Sequence, residues 1–153
     1  MKKRGFYVIA HNIRSLYNVG SIFRTAEAFG VDKIILSGYT GTPKNPRLQK
    51  TALGAEKLVP WEHHEQLKRV IEKLKKNKFQ IVALENNVGK TTALEKFRPR
   101  FPLALILGEE VHGSKTSFLK MCDQIIEIPM HGQKESLNVS VAFGVAAHFI
   151  KNA

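Results

Sequence analysis

Residues 128–150 read IPMHGQKESLNVSVAFGVAAHFI, and this stretch limits the fold more than any other. An apolar run, 125–128, meets Pro129 and a polar loop with Gly132. From Ser136 onward nearly every residue to Ile150 is small or apolar, a pattern of strand, loop and buried helix. A helix with one wet face keeps a polar side, yet Val139, Val141, Ala142, Phe143, Val145 and Phe149 spread around most of this one. Such a helix is covered on several sides, and a second copy of the chain is one candidate for the extra cover. Gly144 within it costs about 1 kcal/mol relative to Ala, which is expected where another backbone comes close. Ser136 and Asn138 stand where a helix cap belongs. The alternative is a loop that holds a ligand at a strand's carboxyl end, where open α/β sheets bind.

At 153 residues the chain is long enough for one domain spanning 1–153 with a real core. Its 24 Lys and Arg against 13 Asp and Glu give a formal charge of +11, a field that favours a polyanion, RNA or DNA first. A membrane partner is not expected: no apolar run approaches the roughly 20 residues of a span, and no basic amphipathic segment has an aromatic face. The start, MKKRGFYVIAHN, lacks an apolar signal core and reads as a first strand. A single cysteine, Cys122, rules out an internal disulfide and fits a reducing cytoplasm. The six histidines are scattered and one cysteine cannot complete a zinc site, so no metal is expected.

In order, 6–10 is a short apolar strand, followed by a polar loop. Val19, Ile22, Phe23, Ala26 and Phe29 then recur at helical spacing until Gly30, with Asn18 as the expected N-cap. Further strands are expected at 33–37, 57–60, 79–84, 103–107 and 124–128, and an amphipathic helix at 63–76. The segment between 38 and 56, rich in Gly, Pro and basic residues, reads as a loop facing RNA or as a mobile connection. Strands alternating with helices predict an α/β fold with a mostly parallel six-stranded sheet and helices on both faces.

Two nucleotide motifs fail. In ENNVGKTT, 85–92, the end of a P-loop is present, but Leu84 stands where its first glycine belongs. No GxGxxG follows a strand, so an ordinary dinucleotide fold is unsupported.

Three strand-following loops remain: NVGSIFRTA (18–26), LGEEVHGS (107–114) and IPMHGQKESLNVSVA (128–142). Residue chemistry alone allows them one pocket with a carboxylate, an arginine and amide or hydroxyl groups, and does not choose a reaction. In this order and spacing they closely resemble the three motifs of the SpoU/TrmH-type RNA 2′-O-ribose methyltransferases of the SPOUT superfamily. The N-x-G-x-x-x-R-T pattern falls on Asn18, Gly20, Arg24 and Thr25, and L-G-x-E-x-x-G on Leu107, Gly108, Glu110 and Gly113. In the third motif Ile128, Pro129, Met130, Gly132, Ser136, Leu137 and Asn138 match.

The resemblance implies a C-terminal deep trefoil knot, a homodimer that completes each site, and S-adenosylmethionine held by Leu84, Gly108, Ile128, Met130, Gly132, Ser136 and Leu137. It gives the catalytic part to Arg24, with Asn18, Glu110, Ser136 and Asn138 holding the nucleotide or ordering the loops. A guanidinium has a pKa above 12, stays protonated and is a poor base, so orientation of the ribose hydroxyl and a neighbouring phosphate suits Arg24 better. The basic residues Arg14, Lys44, Arg47 and Lys50 are the expected RNA contacts. A small dimer without an RNA-binding extension favours tRNA over ribosomal RNA. A catalytically silent RNA-binding module of the same fold is the alternative, and a phosphotransferase built on the turn at 89–91 is a more distant one.

Overall fold

Seven parallel strands pair into one sheet in the order β3-β2-β1-β6-β4-β7-β5. They are β1 (Phe6–His11), β2 (Lys33–Ser37), β3 (Trp61–His64), β4 (Gln80–Leu84), β5 (Thr92–Ala93), β6 (Leu103–Gly108) and β7 (Gln124–Glu127). The helices are α1 (Leu16–Ala28), α2 (Pro46–Ala52), α3 (Leu67–Lys76), α4 (Thr116–Leu119) and α5 (Val139–Asn152). The computed structural model describes residues 4–108 and 116–153. No helix among the described residues is long and apolar enough to cross a membrane.

Parallel sheets need cover on both faces, so their central strands are apolar throughout. VIA in β1, IIL in β2 and LALIL in β6 meet that need. Period-two alternation sends Val8, Leu36, Val82 and Leu105 to the face packed by α1, α2 and α5, where Phe23 and Phe143 are fully buried. Ile9, Ile35, Ile81 and Ile106 turn to the other face, against Val70, Ile71 and Leu74 of α3 and Phe118 of α4. Both faces are thus covered by helices, as expected.

Several boundaries differ from the sequence expectation. The sheet has seven strands rather than six, because Thr92–Ala93 adds a short edge to β7. The third strand is Trp61–His64 instead of 57–60, since Pro60 has no N–H to give a ladder and residues Ala55–Lys57 form a 3₁₀ turn. Consequently α3 begins at Leu67 instead of residue 63. The supposed loop at 38–56 contains α2, capped by Asn45, whose side chain accepts from Arg47 N, with Pro46 in the first turn.

Ser15, not Asn18, caps α1, its Oγ accepting from Asn18 N at 3.1 Å. That places Asn18 inside the first turn of the helix, not at its cap. At Gly20 an added Cβ would lie 2.0 Å from Thr51 Oγ1 and 2.4 Å from Leu48 O, so the crossing of α1 and α2 requires glycine there. Gly144 behaves oppositely. The nearest atom to its added Cβ is Thr25 Cγ2 at 3.8 Å, ordinary contact, and among the described residues no neighbouring backbone demands a glycine.

Candidate functional site

The carboxyl ends of β4, β6 and β7 open into a cavity of about 440 Å³. That lies within the roughly 300–1,000 Å³ of small-molecule sites, and strand ends are where open α/β sheets bind ligands. Leu84, Leu107, Ile128, Leu137, Val139 and Ala142 give it apolar walls. Its polar groups come from Glu85, Asn86, Asn87, Glu135 and Ser136.

Local sequence explains how the loops are held. Asn86 follows the end of β4 and clamps the loop after β7: its Nδ2 donates to Ile128 O at 2.9 Å and to Glu135 O at 3.3 Å, and its Oδ1 accepts from Ile128 N at 3.2 Å. Asn87 Nδ2 donates to Glu135 O as well, at 3.3 Å. Gly108 closes β6 beside this clamp, and a Cβ there would lie 3.4 Å from His11 O and 3.9 Å from Glu85 Oε1. The carboxylate of Glu85, buried at 7% exposure, therefore sits beside the motif glycine.

The described lining residues include two acids, Glu85 and Glu135, and no lysine or arginine. In a chain of formal charge +11 that contrast favours a ligand carrying positive charge.

Among the residues expected to hold the cofactor, Leu84, Gly108, Ile128, Ser136 and Leu137 line this cavity. Met130 and Gly132 do not: Met130 is half-buried elsewhere on the loop, and Gly132 is exposed, with nothing among the described residues within 4 Å of a Cβ built on it. Glu110 and Gly113 fall outside the described residues. Asn138 caps α5, its Oδ1 accepting from Ser140 N at 2.9 Å and Ser140 Oγ at 2.6 Å. The same side chain's Nδ2 donates to Asn18 Oδ1 at 3.2 Å. Capping and joining the first motif to the third are thus done by one residue.

Arg24 stands apart. It is exposed on α1, beside Ser21, Thr25, Lys50 and Leu53 in a shallow open depression between α1 and α2, and is not in the cavity lining. Since six residues separate it from Asn18, the two lie about 9 Å apart along the helix axis. One chain by itself therefore does not bring Arg24 to the cavity wall. The expected RNA contacts Arg14, Lys44, Arg47 and Lys50 are all exposed.

Glu85, Asn86, Asn87, Val88 and Glu135 were not foreseen. Their signal was present: polar residues directly after an apolar strand in a parallel sheet occupy the ligand end. The two asparagines stand just before Gly89, Lys90 and Thr91, whose likeness to the end of a P-loop is the more conspicuous pattern. On the opposite face His11 Nδ1 pairs with Ser37 Oγ at 2.9 Å and its ring meets Phe118 edge-on at 5.8 Å. Burial pushes its pKa below the usual 6.5. Among the described residues no group of three metal-ligating side chains occurs.

Comparison with known proteins supplies the context. The chain is 33% identical over 140 residues to the 23S rRNA (guanosine-2′-O-)-methyltransferase RlmB of Escherichia coli K12, covering 92% of this chain and 57% of that protein. The AdoMet-bound rRNA methyltransferase from Sinorhizobium meliloti shares the fold with a TM-score of 0.90 at 24% identity, over 99% of this chain and 57% of that one. A structure described as giving insights into the 2-OH methylation of C/U34 on tRNA matches with a TM-score of 0.84 at 25% identity, over 95% and 93% of the two chains. The chain spans between 37% and 61% of the length of the first curated relatives it matches. A model of the SpoU rRNA Methylase family matches residues 5–148, and the chain belongs to that family.

Proposed function

We propose that the chain transfers a methyl group from S-adenosylmethionine to a ribose 2′-hydroxyl of RNA, in the cytoplasm and with tRNA favoured over rRNA. The observation that carries this reading is the acidic, apolar-walled cavity at the ends of β4, β6 and β7 in an otherwise strongly basic chain. Leu84, Leu107, Ile128 and Leu137 suit the purine, and the carboxylates of Glu85 and Glu135 suit the positive charges of the methionine part. When bound, the cofactor supplies a methyl group already electrophilic on a sulfonium. The protein's task is then to align the hydroxyl and assist loss of its proton. Asn18 and Asn138 hold the first and third motifs in register, and Ser136 offers a hydroxyl at the rim.

Arg24 keeps its proton and orients the hydroxyl together with an adjacent phosphate, which accepts the proton. Because Arg24 lies off the cavity of its own chain, the reading includes a homodimer in which paired subunits complete each site. The apolar surface of α5 supports it: Val141 is 52% exposed and Val145, one turn on, 42%, with Leu137 at 38% just before the helix. Light scattering that returns a monomer at working concentration would remove the dimer from the proposal.

A trefoil knot belongs to the same reading. The order β6-β4-β7 and the return of the chain after β7 past Asn86 and Asn87 to reach α1 are compatible with such threading. Pulling the denatured chain by its ends tests it, since a knotted chain stops short of its full contour length. A single catalytic unit over 1–153 is likewise proposed, supported by the pairing of all seven described strands in one sheet. The preference for tRNA rests on the likeness along 93% of a chain whose structure concerns tRNA. RlmB, named for 23S rRNA, is matched along 57% of its length.

Calorimetric titration with S-adenosylmethionine, followed by transfer of labelled methyl to tRNA and rRNA transcripts, tests the whole. Cofactor binding at one site per chain and label on ribose 2′-oxygen are the expected results. If no heat is seen, what is left is an RNA-binding module without chemistry.

A further inference from the structure

The carboxyl ends of β1 and β2 carry two tyrosines that take no part in the cofactor cavity. Tyr39, 53% exposed, comes two residues after β2, and Tyr17, 55% exposed, lies in the first turn of α1. Rings of this size bring a large apolar payload that folding ordinarily hides. Among the described residues neither ring stacks on another ring or meets a cation.

Their backbones are nevertheless held. Tyr39 N donates to Asn12 Oδ1 at 3.1 Å, and the next residue, Thr40, is buried with its Oγ1 accepting from Ile13 N and donating to Ala10 O, both at 3.0 Å. On the other side Thr51 Oγ1 donates to Tyr17 O at 2.9 Å. Two ring faces are thus presented on fixed supports at the ligand end of the sheet.

The segment that carries Tyr39 is basic. Between Asp32 and Glu56 the sequence contains no acidic residue, while Lys44, Arg47 and Lys50 are exposed there. Strands stand about 4.8 Å apart, so the end of β2 lies about 14 Å, three spacings, from the end of β4 where the cavity opens. An RNA strand entering that cavity has only a short distance to run along the rim.

We infer that Tyr39 and Tyr17 are stacking platforms for unpaired bases beside the target nucleotide, and that the substrate is therefore a single-stranded loop of RNA. This deepens the methyltransferase reading, on which the position of the target ribose rests. Unpaired bases expose a π-face to an aromatic side chain, whereas a duplex has already stacked its bases and offers phosphates, hydroxyls and base edges. Lys44, Arg47 and Lys50 hold the phosphates on either side, and the rings choose unpaired over paired RNA.

The test compares a hairpin RNA with an unpaired loop of mixed sequence against a blunt duplex of the same length. Binding is followed by fluorescence anisotropy with the full chain saturated with S-adenosylhomocysteine. Tyr39→Ala and Tyr17→Ala each weaken hairpin binding about ten-fold and leave duplex binding unchanged, and the corresponding Phe variants bind the hairpin as wild type does. Hairpin binding that survives both alanine substitutions overturns the inference, as does an equal loss for hairpin and duplex. Cofactor titration of the same proteins keeps the two questions apart. A wild-type chain that binds no S-adenosylmethionine refutes the enzyme reading, while the anisotropy comparison still decides the platform.

Discussion

Asn138 Nδ2 donates to Asn18 Oδ1 at 3.2 Å, joining the cap of α5 to the first turn of α1 across 120 residues of sequence. Since the same Asn138 accepts from Ser140, one side chain fixes both the start of a helix and its approach to another. Asn138→Ala removes both roles and lowers stability by about 1–2 kcal/mol, the usual worth of a lost cap. Asn138→Asp keeps the capping oxygens and loses the donor, so its loss is smaller. A double-mutant cycle with Asn18→Ala isolates the contact. If Asp and Ala variants unfold at the same denaturant concentration, the cap is not the larger part.

Gly20 and Gly144 respond oppositely to alanine. Gly20→Ala drives a methyl group into Thr51 and the Leu48 carbonyl and destabilises by about 1–3 kcal/mol or more. Gly144→Ala meets only Thr25 Cγ2 at 3.8 Å and gains up to about 1 kcal/mol of helix propensity. Thermal unfolding ranks the two. A Gly144→Ala protein that unfolds normally but is monomeric would place the close neighbour of Gly144 in another subunit.

His11 makes stability depend on pH. Burial holds its folded pKa below 6.5, so the neutral ring is favoured in the native state and the unfolded chain binds more protons between the two values. Stability therefore rises with pH through that window, is complete above about 6.5, and falls on acidification towards the folded pKa. His11→Asn flattens this part of the curve. Parallel pH profiles of wild type and variant below pH 6.5 would contradict the assignment.

The catalytic reading separates two residues by two observables. Glu135→Gln removes a carboxylate from the cavity and weakens S-adenosylmethionine binding about ten-fold, with RNA affinity little changed. Arg24→Lys retains charge but not the planar fork, and lowers kcat on the order of a hundred-fold with cofactor affinity intact. Wild-type turnover by the lysine variant would discard the positioning role of Arg24.

In the proposed reading the basic surface of α2 and the turn before it sets the salt dependence of RNA binding. For single strands the logarithmic slope falls by about 0.7 per neutralised phosphate contact. Lys44→Gln, Arg47→Gln and Lys50→Gln each reduce the slope by about that amount if they touch phosphates. An unchanged slope in the triple variant would move the RNA path elsewhere.

The central sheet was legible because VIA, IIL and LALIL are short apolar runs rich in β-branched residues, the pattern of strands covered on both faces. Edge elements were not. Trp61–His64 pairs on one side and is polar, so the neighbouring apolar 57–60 looked more like a strand, and two-residue β5 owes its existence to β7. Helix α2 was hidden although its Asn45-Pro46 start is a recognised cap pattern, because density of Gly, Pro and Lys in 38–56 resembles a loop. Half of the cavity was visible as the third motif. Asn86 and Asn87 escaped because their work is to bind the backbone of Ile128 and Glu135, 42 to 49 residues away, which no local pattern records.

The pairing of β1 with β6, Phe6 opposite Leu103, has a consequence for synthesis. Nearly a hundred residues emerge between the two strands, roughly 5–20 s at ribosomal speed. During that interval one edge of β1 presents its unsatisfied amides, bordered by Val8, Ile9 and Ala10, to whatever passes. An edge left unpaired in a half-built nascent sheet is a template for mispairing, and slower translation before Leu103 lengthens its exposure.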